Sequence, residues 1–285
     1  MKRIVTAFKE HKEFKKNRPW DVNDMYFPTD IFTPPHYAET IEIILCRDLK
    51  GTAYIGGKRY DLSGRKTFFI APDVIHTLYH EKSDGKLINI KLVPHDLTSS
   101  VLLQNILANE QLDFFSIPCE IPELDRLYPL AEKLRFSNRE TLDPLIAILE
   151  MFQIFREYAN PNLALRLAAP SLDEELQNII SWTEDHFHQK ISLDDAAEQT
   201  GYSKHYFCSK FRNATGCTYL QYLNTLRITH ACRLLKSGTS ITDVCESCGF
   251  ENMSYFIQLF KKTMGTTPKQ YALEKLRQES KEKLF

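Results

Sequence analysis

The chain has 285 residues, of which 43% are hydrophobic and 26% are charged, and its formal net charge is −1. This length suffices for two domains that each bury a core, and the neutral total does not by itself predict a polyanionic partner. The sequence contains neither a signal peptide nor an apolar run long enough to span a membrane, so we expect a cytoplasmic protein without a membrane partner.

The N-terminal half is predicted to form a small β-barrel or jelly roll. Short segments that favour strands, several of them alternating apolar and polar residues, cover 40–45, 52–55, 59–62, 67–70 and 87–93. Gly56 and Gly57 separate two of these segments and predict a two-residue hairpin turn. Closely spaced antiparallel strands of this kind close into barrels or double-sheet jelly rolls. The basic segment before them, residues 2–18, is expected to be a loosely ordered arm.

Polar and aromatic side chains of the predicted barrel are candidates for a small-molecule pocket, where a few such groups fix the orientation of a ligand. The candidates are His36, Tyr54, His76 and Tyr79, although simple packing of the barrel explains them equally well. A metal centre would need paired histidines and a carboxylate that converge on one ion. His36, Glu39 and His76 could converge, but the second histidine of a His-x-His pair is missing. We therefore predict no metal and no other cofactor.

Three helices are predicted after the barrel, at residues 97–109, 123–136 and 143–158. The third has a broad apolar face, which packing against the barrel would explain; alternatively, one of the three helices forms a contact between two copies of the chain. Residues 161–172 are the predicted linker, so the predicted domains are 1–160 and 173–285. The apolar face of the third helix consists of Leu145, Ile146, Ile148, Leu149, Phe152 and Phe155.

A stretch near the C-terminus occurs twice, and much of it keeps a constant offset of 49 positions. An internal repeat indicates the architecture directly, and two copies are too few for a solenoid. We therefore predict a pair of similar small helical modules. The matching residues are Phe207 and Phe256, Phe211 and Phe260, Gly216 and Gly265, and Tyr222 and Tyr271.

Each module is predicted to be a helix, a short glycine turn and a second helix. In the first module Ser192 caps a helix that ends at Gly201, and Ser203 caps the next one. In the second module Thr242 caps a helix and Gly249 makes the turn. The phenylalanines of each second helix are four residues apart, so they share one face and point into the core. The pattern predicts two helix-turn-helix motifs, although an ordinary helical hairpin is a commoner structure.

Local charge favours a nucleic-acid partner for these modules. Residues 200–277 hold eleven basic and four acidic residues, a difference of +7, and neutralised phosphates supply most sequence-independent affinity for DNA. A charged run alone usually marks a solvated face, but this one coincides with two helix-turn-helix patterns. Residues 219–236 between the modules are predicted to be one helix that fixes the spacing of the recognition helices. Successive major grooves on one face of B-DNA lie roughly 34 Å apart.

The C-terminal pattern resembles the DNA-binding domain of the AraC/XylS family of bacterial transcription regulators, over roughly residues 173–277. The residues that carry this resemblance are Ile241-Thr242-Asp243-Val244-Cys245, Gly249-Phe250, Ser254-Tyr255-Phe256, Phe260-Lys261-Lys262, Gly265 and Thr267-Pro268-Lys269-Gln270-Tyr271. The N-terminal half resembles the cupin-like sensing domain of such regulators. The residues concerned are Pro35, His36, Glu42, Gly57, Tyr60, Pro72 and His76.

The resemblance implies an α+β fold: a cupin-like β-barrel with helices, followed by an all-α domain of two helix-turn-helix modules joined by a helix. It also implies which side chains meet DNA. Those expected to face base edges are His205, Cys208 and Ser209 in the first module, and Met253, Ser254, Ile257 and Gln258 in the second. Those expected to contact phosphates, which position the protein without reading sequence, are Lys204, Lys210, Arg212, Arg227, Lys261 and Lys262.

The expected function is that of a sequence-specific transcription regulator, with an activator favoured over a repressor. Its expected partners are double-stranded DNA, a small-molecule effector, RNA polymerase and a second copy of the chain. A cupin-type metal-dependent enzyme with a helical accessory domain and a protein-binding helical adaptor are the alternatives. The seven cysteines are expected to be reduced and buried. Cys245 and Cys248 could indicate redox or metal chemistry, but without a second pair at zinc spacing core packing is favoured.

Overall fold

The computed structural model describes residues 3–4, 20–26, 30–93, 120–122, 125–137, 141–158 and 174–273. In these ranges a β-rich half of two five-stranded sheets precedes a helical half, which confirms the predicted α+β class. None of the helices in the described ranges is long and apolar enough to cross a membrane. The helix predicted at 97–109, the linker at 161–172 and nearly all of the basic arm lie outside the described residues.

The β-rich half pairs its strands in the orders β1-β3-β8-β5-β6 and β10-β7-β4-β9-β2. Apart from β1 and β3, which run parallel, neighbouring strands of the two sheets are antiparallel. The strands are β1 (Arg3–Ile4), β2 (Trp20–Tyr26), β3 (Ile31–His36), β4 (Ile41–Leu49), β5 (Gly51–Ile55), β6 (Lys58–Asp61), β7 (Gly64–Ile70), β8 (His76–His80), β9 (Lys86–Leu92) and β10 (Glu120–Pro122).

The five strands predicted from sequence correspond to β4, β5, β6, β7 and β9. Gly56 and Gly57 both have positive φ and join β5 to β6, so the hairpin prediction is confirmed. Strand β3 was missed because Pro34 and Pro35 interrupt it, and the register shift between Thr33 and His36 accommodates them. Strands β2 and β8 were missed because their polar residues do not give an apolar alternation.

Two helices, α1 (Leu127–Phe136) and α2 (Asp143–Tyr158), cover one face of the second sheet. Phe155 on α2 packs edge-to-face against Phe69 on β7, with ring centroids 5.1 Å apart. Helix α1 begins at Leu127 rather than at the predicted residue 123. Residues 120–122, which precede α1, form β10, and β10 pairs with β7.

Packing against the barrel accounts for most of the apolar face of α2. Ile148, Phe152 and Phe155 are buried, while Leu145 and Leu149 are half-buried. Ile146 remains 42% exposed. Two further large apolar side chains are exposed to solvent: Leu142, just before α2, and Phe136, at the end of α1.

The helical half consists of α3 (Glu174–His186), α4 (Leu193–Thr200), α5 (Lys204–Thr215), α6 (Tyr219–Lys236), α7 (Ile241–Ser247) and α8 (Met253–Met264). The predicted caps Ser192 and Ser203 are confirmed, as is the left-handed Gly201 that ends α4. The predicted cap Thr242 is wrong: Ser240 caps α7 by accepting from the backbone N–H of Asp243 at 3.2 Å. The spacing Ser240-x-x-Asp243 repeats Ser192-x-x-Asp195 in the first module, where the same bond forms.

Each module has its own aromatic core, as the repeat predicts. Phe207 and Phe211 are fully buried in the first module, and Phe256 and Phe260 are fully buried in the second. Helix α6 contributes to both cores, and its eighteen residues span about 27 Å at a rise of about 1.5 Å per residue. It therefore joins the modules as one continuous spacer.

Candidate functional site

The outer face of α5 carries most of the side chains predicted for the first recognition helix. His205, Ser209 and Arg212 are exposed, whereas Cys208 is half-buried against the core. Lys204 is exposed and pairs with Asp194 at 2.9 Å, a surface ion pair of the kind that contributes little stability. The ammonium of Lys210 is half-buried, bonds the hydroxyl of Tyr202 at 2.6 Å and lies 4.6 Å from its ring centroid.

The outer face of α8 matches that of α5. Ser254, Ile257, Gln258, Lys261 and Lys262 are exposed. Met253 is half-buried against the core of the second module instead. The exposed residues therefore form one polar and basic surface on the side of α8 opposite the buried phenylalanines.

Two tyrosines at equivalent positions of the repeat belong to these surfaces and were not predicted as site residues. Tyr206 on α5 is 53% exposed and Tyr255 on α8 is 49% exposed. The hydroxyl of Tyr255 accepts a hydrogen bond from Asn224 on α6 at 3.1 Å. Their repetition at the same offset as the core phenylalanines was the signal that could have found them, because large exposed aromatics are uncommon without a partner.

Arg227, predicted as a phosphate contact, is held between the two modules. Its Nε donates to the carbonyl of Phe187 at 2.8 Å, and its Nη2 donates to that of Gln189 at 2.7 Å. The guanidinium carbon lies 5.6 Å from the ring centroid of Phe250 in the second module. Because two of its donors serve these contacts, Arg227 is better placed to link the modules than to contact a phosphate.

The turn of the second module also rests directly on the first. A Cβ added to Gly249 would lie 2.7 Å from the carbonyl oxygen of His188, and Lys190 pairs with Glu251 at 3.0 Å. Together with Arg227 and α6, these contacts link the modules at several points. The two recognition helices are therefore held in one relative orientation.

The β-rich half packs against the first module. Ile75, which precedes β8, is buried within the core of that module. The Tyr37 hydroxyl and Ser181 Oγ are 2.5 Å apart, and Gln177 donates to the carbonyl of Asp73. In addition, β1 approaches α8, with Cα atoms within 8 Å.

The structure separates the four predicted ligand-binding residues into two pairs. Tyr79 stacks on Phe32, at 4.6 Å between ring centroids, and lies in the cluster formed with the first module. Tyr54 abuts Gly216, the residue that ends α5, so closely that a side chain there would overlap its ring. Both tyrosines thus face the helical half, whereas the other pair lies elsewhere.

His36 and His76 form that other pair, in the interior between the two sheets. Side chains alternate along a strand, so His76 points inward from β8 while Tyr79 points outward. The two imidazole centroids are 4.1 Å apart. Beside them lies Glu42 on β4, with an oxygen 3.7 Å from Nε2 of His76. Glu39, the carboxylate considered from sequence, is exposed and is absent from this group.

Burial determines the charge of these groups. Desolvation, with a smaller contribution from His76, lowers the pKa of His36 to about 3, so this ring is neutral. Burial alone would raise the pKa of Glu42, but Lys91 and His76 outweigh it and hold the pKa well below its ordinary value. Lys91 Nζ lies 3.2 Å from Oε1 of Glu42, and Asn89 donates to Oε2 at 3.0 Å. The interior therefore contains an ionised carboxylate close to the neutral ring of His36.

Cys245 and Cys248 are free thiols buried in the core of the second module. Burial raises the pKa of Cys248 to about 12. The thiol therefore keeps its proton at neutral pH, which agrees with the predicted packing role.

Comparison with known families agrees with this architecture. A model of the AraC-like ligand binding domain matches residues 24–134, and a model of a helix-turn-helix domain matches residues 196–274. A sensing barrel followed by a DNA-binding helical domain defines a ligand-binding transcription regulator. With both of these domains, the chain belongs to the AraC/XylS family of transcription regulators.

Two of three similar proteins span most of the chain, and the third matches its C-terminal part. It is 26% identical over 256 residues to the HTH-type transcriptional activator RhaS of Escherichia coli (strain K12 / DH10B), covering 83% of this chain and 86% of that protein. The solved DNA-binding domain of the transcriptional factor AdpA, in complex with a target DNA, is 28% identical with a TM-score of 0.34, covering 35% of this chain and 91% of that one. ToxT from Vibrio cholerae O395 is 14% identical with a TM-score of 0.47, covering 90% and 97% of the two chains.

Proposed function

We propose that this protein is a transcription activator controlled by a small-molecule effector. In this proposal α5 and α8 enter successive major grooves, the interior between the sheets binds the effector, and RNA polymerase is the partner recruited at the promoter. The observation that carries it is the pair of matched exposed surfaces on α5 and α8. Each surface lies opposite a buried phenylalanine pair of its own module, at equivalent positions of the repeat. The contacts of Gly249 and Arg227 hold the two modules against each other.

The chemistry of the two surfaces suits a duplex. Their exposed basic side chains, Lys204 and Arg212 on α5 and Lys261 and Lys262 on α8, are proposed to contact phosphates. Gln258 can pair bidentately with adenine, and the exposed side chain of Ile257 can contact a thymine methyl. The remaining predicted contacts, at the half-buried Cys208, Lys210 and Met253, depend on local rearrangement of these side chains.

The contacts around β8 suggest how an effector could reach the DNA-binding half. This strand presents His76 to the interior and Tyr79 to the first module, three residues apart. Ile75 immediately before it is part of the core of that module. A ligand that displaces β8 from inside therefore moves the packing around α5, and we propose this as the route of the signal.

Substitution of Gln258 and of Lys261 should separate base reading from phosphate contact. Gln258→Ala is expected to cost about 1–3 kcal/mol on the cognate site and almost nothing on random DNA. Lys261→Ala is expected to weaken both alike and to reduce the slope of log K against log salt by about 0.9. The measurement is fluorescence anisotropy on a site identified by genomic footprinting, at several salt concentrations.

The exposed Gln199 on α4 provides the matched control, since Gln199→Ala removes the same group outside the recognition helix. It should leave discrimination between cognate and random DNA unchanged. Equal losses on cognate and random DNA for Gln258→Ala would show that Gln258 does not read a base.

A homodimer is proposed through the exposed apolar residues at the start of α2, including Leu142 just before it. Leu142 and Ile146 lie four residues apart on one face and are 71% and 42% exposed, and a two-fold pair suits repeated half-sites. Ile146→Glu is expected to yield monomers of unchanged stability, whereas Ile146→Val should remain dimeric. Sedimentation velocity over a range of concentrations measures this. A wild-type chain that is monomeric throughout, or an Ile146→Glu variant that dimerises normally, excludes this surface.

A further inference from the structure

Three side chains in the interior of the sensor half have the composition of a metal centre. His36 at the end of β3, Glu42 on β4 and His76 at the start of β8 each offer one ligand atom, and these atoms all lie within 4.8 Å of one another. The residues are 7%, 1% and 2% exposed, respectively. Such burial distinguishes the group from the clusters of exposed acidic residues that are common on protein surfaces.

Hydrogen bonds to the backbone set the tautomer of both histidines. Nδ1 of His36 lies 2.9 Å from the carbonyl oxygen of Pro34, and Nδ1 of His76 lies 2.9 Å from that of Val74. A carbonyl oxygen only accepts, so Nδ1 carries a proton in each ring, and in the neutral ring Nε2 presents a lone pair. Metal-binding histidines are oriented in this way by a second-shell carbonyl.

The lone pair of His76 has no donor to satisfy it. Among the described residues nothing forms a hydrogen bond with its buried Nε2 atom, whose nearest charged neighbour is Oε1 of Glu42 at 3.7 Å. Two acceptors that face each other in a buried space are unfavourable unless a cation or proton lies between them. An unpartnered nitrogen aimed at a carboxylate therefore points to a shared proton or a bound ion, and metal binding distinguishes the two.

Asn89 and Lys91 on β9 orient the carboxylate of Glu42 without using all of its lone pairs. Asn89 donates to Oε2 and Lys91 lies beside Oε1, while a carboxylate offers about four acceptor sites. Because Lys91 already offsets the charge of Glu42, an ion at this site must be held chiefly by the imidazole nitrogens. That favours first-row transition ions over Mg²⁺ and Ca²⁺, which prefer oxygen ligands.

We propose that His36, His76 and Glu42 bind one first-row divalent transition ion, through the two Nε2 atoms and a carboxylate oxygen. Three protein ligands leave at least one coordination position open. That position lies in the interior between the sheets and accepts water or another small ligand.

The test is metal binding by the full chain after removal of adventitious ions with a chelator. Equilibrium dialysis against Zn²⁺ is expected to give one ion per wild-type chain, together with a melting temperature that rises with the ion concentration. His36→Gln and His76→Gln are expected to weaken binding at least tenfold. Two substitutions serve as controls and should keep the ion: His80→Gln, a buried histidine on the same strand, and Glu39→Gln, an exposed carboxylate near His36 in sequence.

X-ray absorption of the zinc-loaded wild-type chain gives a readout that does not depend on a variant folding. Two imidazole nitrogens at about 2.0–2.1 Å are expected in the first shell, without sulfur. The proposal is overturned by a wild-type chain that binds no stoichiometric zinc, by a shell that contains sulfur, or by a folded His76→Gln variant that binds as tightly as the wild type. DNA binding is measured separately, so the regulator proposal does not depend on this outcome.

Discussion

Gly249→Ala is expected to lower the free energy of unfolding by about 2–5 kcal/mol. Gly249 has a φ of +74°, and L residues in this left-handed region lose about 1–2 kcal/mol. The added methyl would also meet the carbonyl oxygens of His188 and Phe187 at 2.7 and 2.8 Å. These are backbone atoms that cannot rotate away, and overpacking of this kind costs about 1–3 kcal/mol more.

The repeat itself offers the matched control for this prediction. Gly201 occupies the same turn in the first module with a φ of +67°, but a Cβ there meets nothing within 4 Å. Gly201→Ala should therefore cost only the backbone strain. Urea denaturation of the two variants measures the difference, and binding to a DNA site that needs both recognition helices should weaken more for Gly249→Ala. Equal losses for the two variants would show that the close contact of Gly249 with the first module contributes nothing to the loss of stability.

The stability of the sensor half is expected to fall by about 3 kcal/mol between pH 6.5 and pH 4 because of His80. Burial lowers the pKa of His80 to about 4, whereas an unfolded histidine titrates near 6.5. In this window the unfolded chain binds a proton that the folded chain does not, so acid favours unfolding. Above pH 6.5 both forms are neutral and the contribution is constant.

His80→Gln isolates this contribution, since glutamine does not titrate. Urea denaturation at pH 7 and pH 4.5 is expected to show a larger loss of stability for the wild type than for the variant. Other groups titrate in both proteins, so the difference between the two profiles reports His80. Parallel profiles would mean that His80 is already solvated in the native protein.

Five of the six helices in the described part of the helical half could be predicted because their signals are local, whereas α3 was not predicted. Capping serines, left-handed glycines and phenylalanines four residues apart each act within one or two turns of helix. The one wrong cap prediction, Thr242, rests on the sequence of the second module alone. Aligning it with the first module places Ser240 opposite Ser192, and the cap follows.

The interior of the sensor half could not be predicted, because strand pairing decides it. His36 and His76 are paired residues of β3 and β8, forty positions apart, and neither strand has a clear sequence pattern. Glu39 was considered as their partner because it is near His36 in sequence. The pairing of β4 with β9 instead brings Glu42 inward beside Lys91.

Contacts between the two halves could not be predicted from the sequence either. Tyr54 and Tyr79 were grouped with the histidines as possible ligand contacts, yet their strand positions turn them towards the first module. Arg227 was grouped with the basic DNA contacts, although its neighbours Phe187 and Gln189 lie about forty positions earlier. The proposed base and phosphate contacts and the predicted domain boundaries stay predictions.

The place of Ile75 limits how this protein can be cut and recombined. A chimera joined within residues 161–172, with a foreign sensor in front of this helical half, would lose the isoleucine that completes the packing around α5. The transplanted helical half would then contain a cavity in its core. A working graft needs a donor barrel with an apolar side chain at the same spot, or a repacked α3 and α6 that close the gap without it.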